Sequence, residues 1–153
     1  MTTTTTQPTT TTTGVPTGIV PVGSLATTTG TSLSVDPQDV GDLMLFGTED
    51  SNSTPPTITS VSGGGVSSWQ LLGRDDDTNY TQDNLEIWEG VVTTPGPSTI
   101  TITLSGFSDG NDLLAQEFTA GKPVTWSFDT SGNVAGTLNQ DFSYPSLAPA
   151  RSS

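Results

Sequence analysis

Residues 84–104 read Asn84-Leu85-Glu86-Ile87-Trp88-Glu89-Gly90-Val91-Val92-Thr93-Thr94-Pro95-Gly96-Pro97-Ser98-Thr99-Ile100-Thr101-Ile102-Thr103-Leu104. The fold is decided here. In the second half, Ile100, Ile102 and Leu104 alternate with Thr99, Thr101 and Thr103. Strict period two places one face in a core and one in water, the mark of a half-buried strand. In the first half, Leu85 and Ile87 fall on one face, and Glu86 and Trp88 on the other. Between the halves, Thr94-Pro95-Gly96-Pro97 can continue neither a helix nor a ladder. The stretch reads as a hairpin whose Ile/Leu face packs inward. Its Glu86–Trp88 face is then the place to look for contact with a neighbour.

Similar signals recur outward from this stretch. Ser32–Val35, Thr57–Ser62 and Leu113–Phe118 read as short strands, as do the alternations around Trp69 and Leu71 and through Val124, Trp126 and Phe128. Leu43-Met44-Leu45-Phe46 is apolar on both faces. That pattern suits a central strand covered on both sides, or one facing a subunit contact. Phe142 and Tyr144 suggest a last strand before Pro145. Asp36-Pro37-Gln38-Asp39 is a turn, and Gly63-Gly64-Gly65 permits positive φ. No helical period persists. About eight short strands separated by turn residues predict an all-β chain, a single β-sandwich of Ig-like or jelly-roll type with an extended Thr-rich N-terminal arm. The expected division is an arm over 1–23, a sandwich over 24–149 and a tail over 150–153.

Composition narrows the function. The chain has 153 residues, of which 30% are hydrophobic and 12% charged. Both fractions lie below globular averages, and Thr, Ser, Gly and Asn supply the polar surface instead. Net charge is −13, with sixteen acids against Arg74, Lys122 and Arg151. Nucleic acid is excluded as a partner, since neutralising phosphates takes Lys and Arg. An anionic membrane surface is disfavoured on the same ground. Cysteine and histidine are both absent, which removes disulfides, thiolate metal sites, the usual general base and the common zinc sites. The N-terminus has neither a basic nor an apolar segment, so no signal peptide is expected, and no apolar run is long enough to span a bilayer. An extracellular-type surface without an export signal suits a virion protein, made in the host cytoplasm and exposed after lysis.

The arm is Thr-rich over residues 2–13 and then adds Val15, Ile19, Val20 and Val22, punctuated by Pro16 and Pro21. These four apolar residues are the expected partner contacts, docking as an extended strand on a neighbouring subunit. The plainer reading is a flexible linker. Asp75, Asp76, Asp77 and Asp83 form the densest cluster of oxygen ligands, and Ca²⁺ is the cation they would take. They lack the spacing of a dedicated calcium loop, so a solvated acidic loop is the competing reading. Glu86 and Glu89 are the one pair of carboxylates suggesting glycoside hydrolysis, but on a strand they point to opposite faces. No catalytic residue is expected. Trp88 is the residue to test for glycan stacking or a subunit contact. Asn52-Ser53-Thr54 and Asn79-Tyr80-Thr81 are glycosylation sequons that matter only in a eukaryotic secretory pathway.

Several segments, in order, carry a family likeness: Gly41-Asp42-Leu43-Met44-Leu45-Phe46, Ile58-Thr59-Ser60-Val61, Ser68-Trp69, Leu85-Glu86-Ile87-Trp88, Thr99-Ile100-Thr101-Ile102-Thr103-Leu104 and Pro145-Ser146-Leu147-Ala148-Pro149. Over residues 31–149 the chain resembles a β-sandwich domain of actinobacterial phage structural proteins, also found in surface proteins of their hosts. The resemblance implies a virion or surface role and brings no catalytic residues. Such domains continue with further strands past the Pro-Ser-Leu-x-Pro stretch, whereas this sequence stops at Ser153. An incomplete sheet completed by an arm is therefore expected. The function expected is a phage capsid decoration or minor capsid protein on the capsid exterior, bound to the major capsid or another virion protein. It would form a homo-oligomer, with a trimer among the fitting symmetries. The alternatives are a tail-associated virion protein and a glycan-binding module of a cell-surface protein.

Overall fold

The computed structural model describes residues 18–77 and 83–128, and the side chains of all of these except Asp76 and Asp77. Within them the chain forms β1 (Val20–Thr29), β2 (Ser32–Val35), β3 (Leu43–Ser51), β4 (Ile58–Gly63), β5 (Gln70–Asp77), β6 (Asp83–Val91), β7 (Ser98–Leu104) and β8 (Gly110–Thr119). Two antiparallel sheets result, ordered β1-β8-β3-β6-β5 and β2-β7-β4. The molecule is an all-β sandwich. β1 pairs with β8, β2 with β7 and β3 with β6. These nested pairs are what a long antiparallel hairpin makes when it is rolled up, so the sandwich is wound as a jelly roll. β5 departs from a symmetric roll by joining β6 in the larger sheet.

The strict alternation of β7 is realised as predicted. Ile100 and Ile102 are buried, Leu104 is half-buried, and the intervening threonines face water. β6 behaves in the opposite sense. Leu85 and Ile87 are 48% and 53% exposed, while Glu86 is 1% exposed and Trp88 packs against the core. The expected polarity of that strand is thus reversed, and its Glu86–Trp88 face is interior. Nor do β6 and β7 form a hairpin. Pro95-Gly96-Pro97 carries the chain from one sheet to the other. The crossing is held by Thr93 and Thr94 N–H groups donating to the Gly65 carbonyl at 2.8 and 3.0 Å, and by Gly96 N–H donating to Pro37 O at 2.7 Å.

β3 is the central strand of the larger sheet, as its double apolar pattern demands. Met44 and Phe46 point into the core with Leu33, Ile58, Val92, Ile100, Ile102, Leu113 and Ala115. Trp69 stacks edge-on against Phe46 with centroids 5.9 Å apart. Gly63, Gly64 and Gly65 all have positive φ. At Gly63 and Gly65 a Cβ would collide with the Thr99 and Thr94 carbonyl oxygens. Only glycine fits where the chain turns from β4 back beneath β7.

Two boundaries differ from expectation. β1 begins at Val20, inside the stretch assigned to the arm, so Val20 and Val22 are sheet residues paired with Thr119 and Glu117 of the same chain. Pro21 sits on an edge strand, where its missing N–H costs no ladder bond. Val124–Phe128 is not a strand; it runs unpaired past β3, where Trp126 Nε1 donates to Gly41 O at 2.8 Å. The expected strand at Phe142 and Tyr144, the Pro145–Pro149 stretch, the tail and residues 1–17 with Val15 lie outside the described residues.

Candidate functional site

Three features carry the chemistry of this sandwich: a buried carboxylate at each end of the core, and an apolar outer sheet face. The first centres on Glu86. Its side chain is fully buried. Oε1 accepts from Ile58 N at 2.9 Å, Asn84 Nδ2 at 3.0 Å and Arg74 Nε at 3.0 Å, and pairs with Arg74 Nη2 at 2.8 Å. Oε2 accepts from Trp88 Nε1 at 2.9 Å. Ile58 belongs to the smaller sheet, so Glu86 ties the two sheets together through charge-assisted bonds. A buried ion needs this degree of compensation, because its desolvation costs several kcal/mol or more.

Next to Glu86 in the sheet lies Asp50, fully buried. Thr48 Oγ1 donates to its Oδ2 at 2.7 Å, and the Asn111 amide, turned to donate, reaches Oδ1 at 2.7 Å. Burial pushes the Asp50 pKa up, the Thr48 hydrogen bond pulls it down, and the charges of Glu86 and Glu49 add to the rise. Asn84 stands opposite Asp50 in the ladder, and its Oδ1 is buried without a hydrogen-bond partner.

The second carboxylate is Glu117, at the other end of β3. It accepts Gln38 N–H at 2.9 and 3.0 Å and Asp39 N–H at 3.4 Å, closing the Asp36–Asp39 turn. Burial raises its pKa; the two backbone hydrogen bonds lower it, and Asp42 and Asp39 raise it again. Asp42 is raised chiefly by burial, against a hydrogen bond with Thr119. Glu117 borders a recess of about 250 Å³, lined also by Val22, Ala26, Val35, Met44 and Ala115. The recess opens where the β1–β8 register breaks between Val22 and Ala26. The carboxylate beside it is already engaged with backbone N–H groups. Both carboxylate sites therefore read as structural ties.

The sequence-predicted residues fall as follows. Asp75 and Asp77 end β5, and Asp83 opens β6 opposite Asp77. Asp76 opposes Asn84 in the same ladder. Among the described residues no group of three acidic side chains could hold a metal ion. Trp88 is not presented for stacking, since its indole N–H is bound to Glu86 and its ring packs on the core. Ile19 is exposed just before β1. Glu89 shares the outer face with Leu45 and lies opposite in sense to Glu86, as a strand requires. Asn52 Nδ2 donates to Phe107 O at 2.7 Å, which engages the acceptor of the first sequon; the second lies outside the described residues.

The third feature is the outer face of the larger sheet, of which sequence reasoning reads only the part at Leu43–Phe46. One row across it reads Val91-Leu43-Phe118-Pro21, and another Ile87-Gly47-Leu114-Thr27. Leu45 lies between them, flanked by Glu89 and Gln116. Leu114 lies directly over Gly47, its Cδ1 3.2 Å from where a Cβ would sit. The signal was in Leu43–Phe46: a strand apolar on both faces has a second surface to cover. No protein-family model, curated protein or solved structure matches the chain.

Proposed function

We propose that this chain is a non-enzymatic structural protein of a bacteriophage virion, decorating the capsid exterior and attached through its N-terminal segment. The observation that carries this reading is the placement of β1. It is an edge strand of the larger sheet, and the Thr-rich residues 1–17 precede it in the sequence. A segment attached there can reach a neighbouring subunit without disturbing the core. The jelly-roll winding adds support at the level of fold analogy, since capsid proteins use it. The strongly acidic, low-lysine composition suits a soluble exterior subunit.

The partner in this reading is the major capsid protein or another virion protein, with several copies of the chain arranged by closed symmetry. The buried carboxylates hold the sandwich together and take no part in a reaction. The glycan-binding alternative loses its stacking residue with Trp88 turned inward. The test is mass spectrometry of purified phage particles carrying the full chain or one lacking residues 1–17. The full chain should co-purify with capsids, and the shortened one should be lost while still folding. Co-purification with isolated tails would move the site of attachment. Undiminished association of the shortened chain would reject the arm as the attachment.

A further inference from the structure

Glu117 closes the Asp36–Asp39 turn, but it also borders the recess between the two sheets. That recess measures about 250 Å³, room for about eight waters at roughly 30 Å³ each. Val22, Val35 and Met44 give it apolar walls, Glu117 stands 5% exposed beside them, and Asp36 adds an exposed carboxylate to the lining. No basic side chain lines it. Of the two cations among the described residues, Arg74 is bound to Glu86 at the other end of the core and Lys122 is exposed. After burial, and against the two backbone hydrogen bonds, the charges of Asp42 and Asp39 raise the pKa of Glu117 further. Asp42 Oδ2 is itself buried without a hydrogen-bond partner. Negative charge thus gathers at this end of the sandwich with no counter-charge among the described residues. Glu117 also has acceptor capacity left. An ionised carboxylate offers about four lone-pair sites. Its Oε2 shares the Gln38 N–H with Oε1, at 3.0 and 2.9 Å, and takes no other donor among the described residues.

We propose that this recess binds a primary ammonium group on a short aliphatic stem, the ammonium at Glu117 and the stem against Val22, Val35 and Met44. Other chemistries suit it less. An anion would meet Asp36 and Glu117. Among the described residues no group of three acidic side chains could hold a bare metal ion. A neutral apolar molecule would strip water from Glu117 and return no hydrogen bond. A quaternary ammonium takes an aromatic cage, and no aromatic ring lines the recess. A primary ammonium brings three donors on a narrow stem. Two sources share this chemistry, a free alkylamine and a lysine side chain of another protein. The inference does not rest on a virion role.

The experiment follows the methyl NMR signals of Val22, Val35 and Met44 in the full chain as n-butylammonium is added, with n-butanol as its neutral counterpart. The three signals should move together and saturate in the millimolar range. Binding of n-butanol should be about tenfold weaker, for want of the charge-assisted bond. Glu117→Gln should lower the affinity for n-butylammonium about tenfold. That variant also loosens the Asp36–Asp39 turn, so Asp36→Asn serves as a second one. There the loss should be about twofold to threefold, as for an exposed charge. An acetyl-Gly-Lys-Gly-amide peptide that moves the same signals would support the proposal with a protein lysine as the source. A response to n-butylammonium alone would support it with a free amine. Equal affinity for n-butanol and n-butylammonium would overturn it. So would signals unmoved up to about 50 mM amine, or an affinity that both substitutions leave unchanged.

Discussion

β6 and β7 are neighbours in sequence, both alternate, and both carry isoleucine and leucine at every second position. β7 buries its apolar residues; β6 exposes them and buries a glutamate. The difference lies in what each face meets. The face of β7 with Ile100 and Ile102 meets Leu33, Phe46 and Leu113, whereas Glu86 on the inner face of β6 meets Ile58 N–H and Arg74, beside the Asn84 amide and Trp88 indole of its own strand. A buried carboxylate that takes its partners from the Ile58 N–H and Arg74 of other strands fixes the orientation of its own, because leaving it unpaired in the core costs more than exposing two aliphatic side chains. Hydrophobic alternation gives the period of a strand; the partners across the sandwich give its sense.

This contrast can be broken by substitution. Glu86→Ala should have one of the two largest effects. It leaves the Ile58 N–H and the Trp88 indole without their acceptor and Arg74 without its ion pair, and a loss of about 2–4 kcal/mol in urea unfolding is expected. A loss under about 1 kcal/mol would mean that apolar packing alone orients β6. Ile100→Ala should match it, at about 2–5 kcal/mol for a fully buried aliphatic side chain. Leu85→Thr marks the opposite pole. The same kind of residue in the same alternating pattern should cost within about 0.5 kcal/mol, because it is half-exposed and near the sheet rim.

Between these extremes lies a dependence on pH. Burial raises Asp42, Asp50 and Glu117 above their ordinary values of 3.8, 3.8 and 4.5. The folded state then binds protons more tightly than the unfolded one. The stability linked to these groups is full below the ordinary values and is lost as pH rises through the raised ones. Thermal melting should therefore occur at higher temperature at pH 5 than at pH 7. Asp50→Asn should flatten that slope, since it removes one of the three groups. A chain that melts earlier at pH 5 would show that the carboxylates are held ionised by their donors.

The fold class was legible because threonine-isoleucine alternation, the Asp36–Asp39 turn and the glycine triplet are all local signals. Leu43–Phe46 likewise announced its central place. β1 was hidden, because Pro21, Gly23 and a run of threonines over a bulged register look like the arm that precedes them. The interior role of Glu86 was hidden for another reason. Its donors come from positions 58, 74, 84 and 88, and no short-range pattern links them. Pro95-Gly96-Pro97 reads as a hairpin turn in the sequence because a sheet-crossing linker uses the same residues as a turn. The acidic run at Asp75–Asp77 is legible as a cluster, but not as the end of a strand, because three adjacent acids carry no apolar alternation.

The nested winding of the strands also has a kinetic consequence. β1 pairs with β8, so the first strand waits for nearly the last of the described chain before it finds its partner. Closing a loop of that length comes late and is slow, and sandwiches rich in such distant pairings fold in milliseconds to seconds. On the ribosome, β1 would emerge long before β8. Through that interval β1 stays without its partner strand, and its small and threonine-rich composition offers little to aggregate.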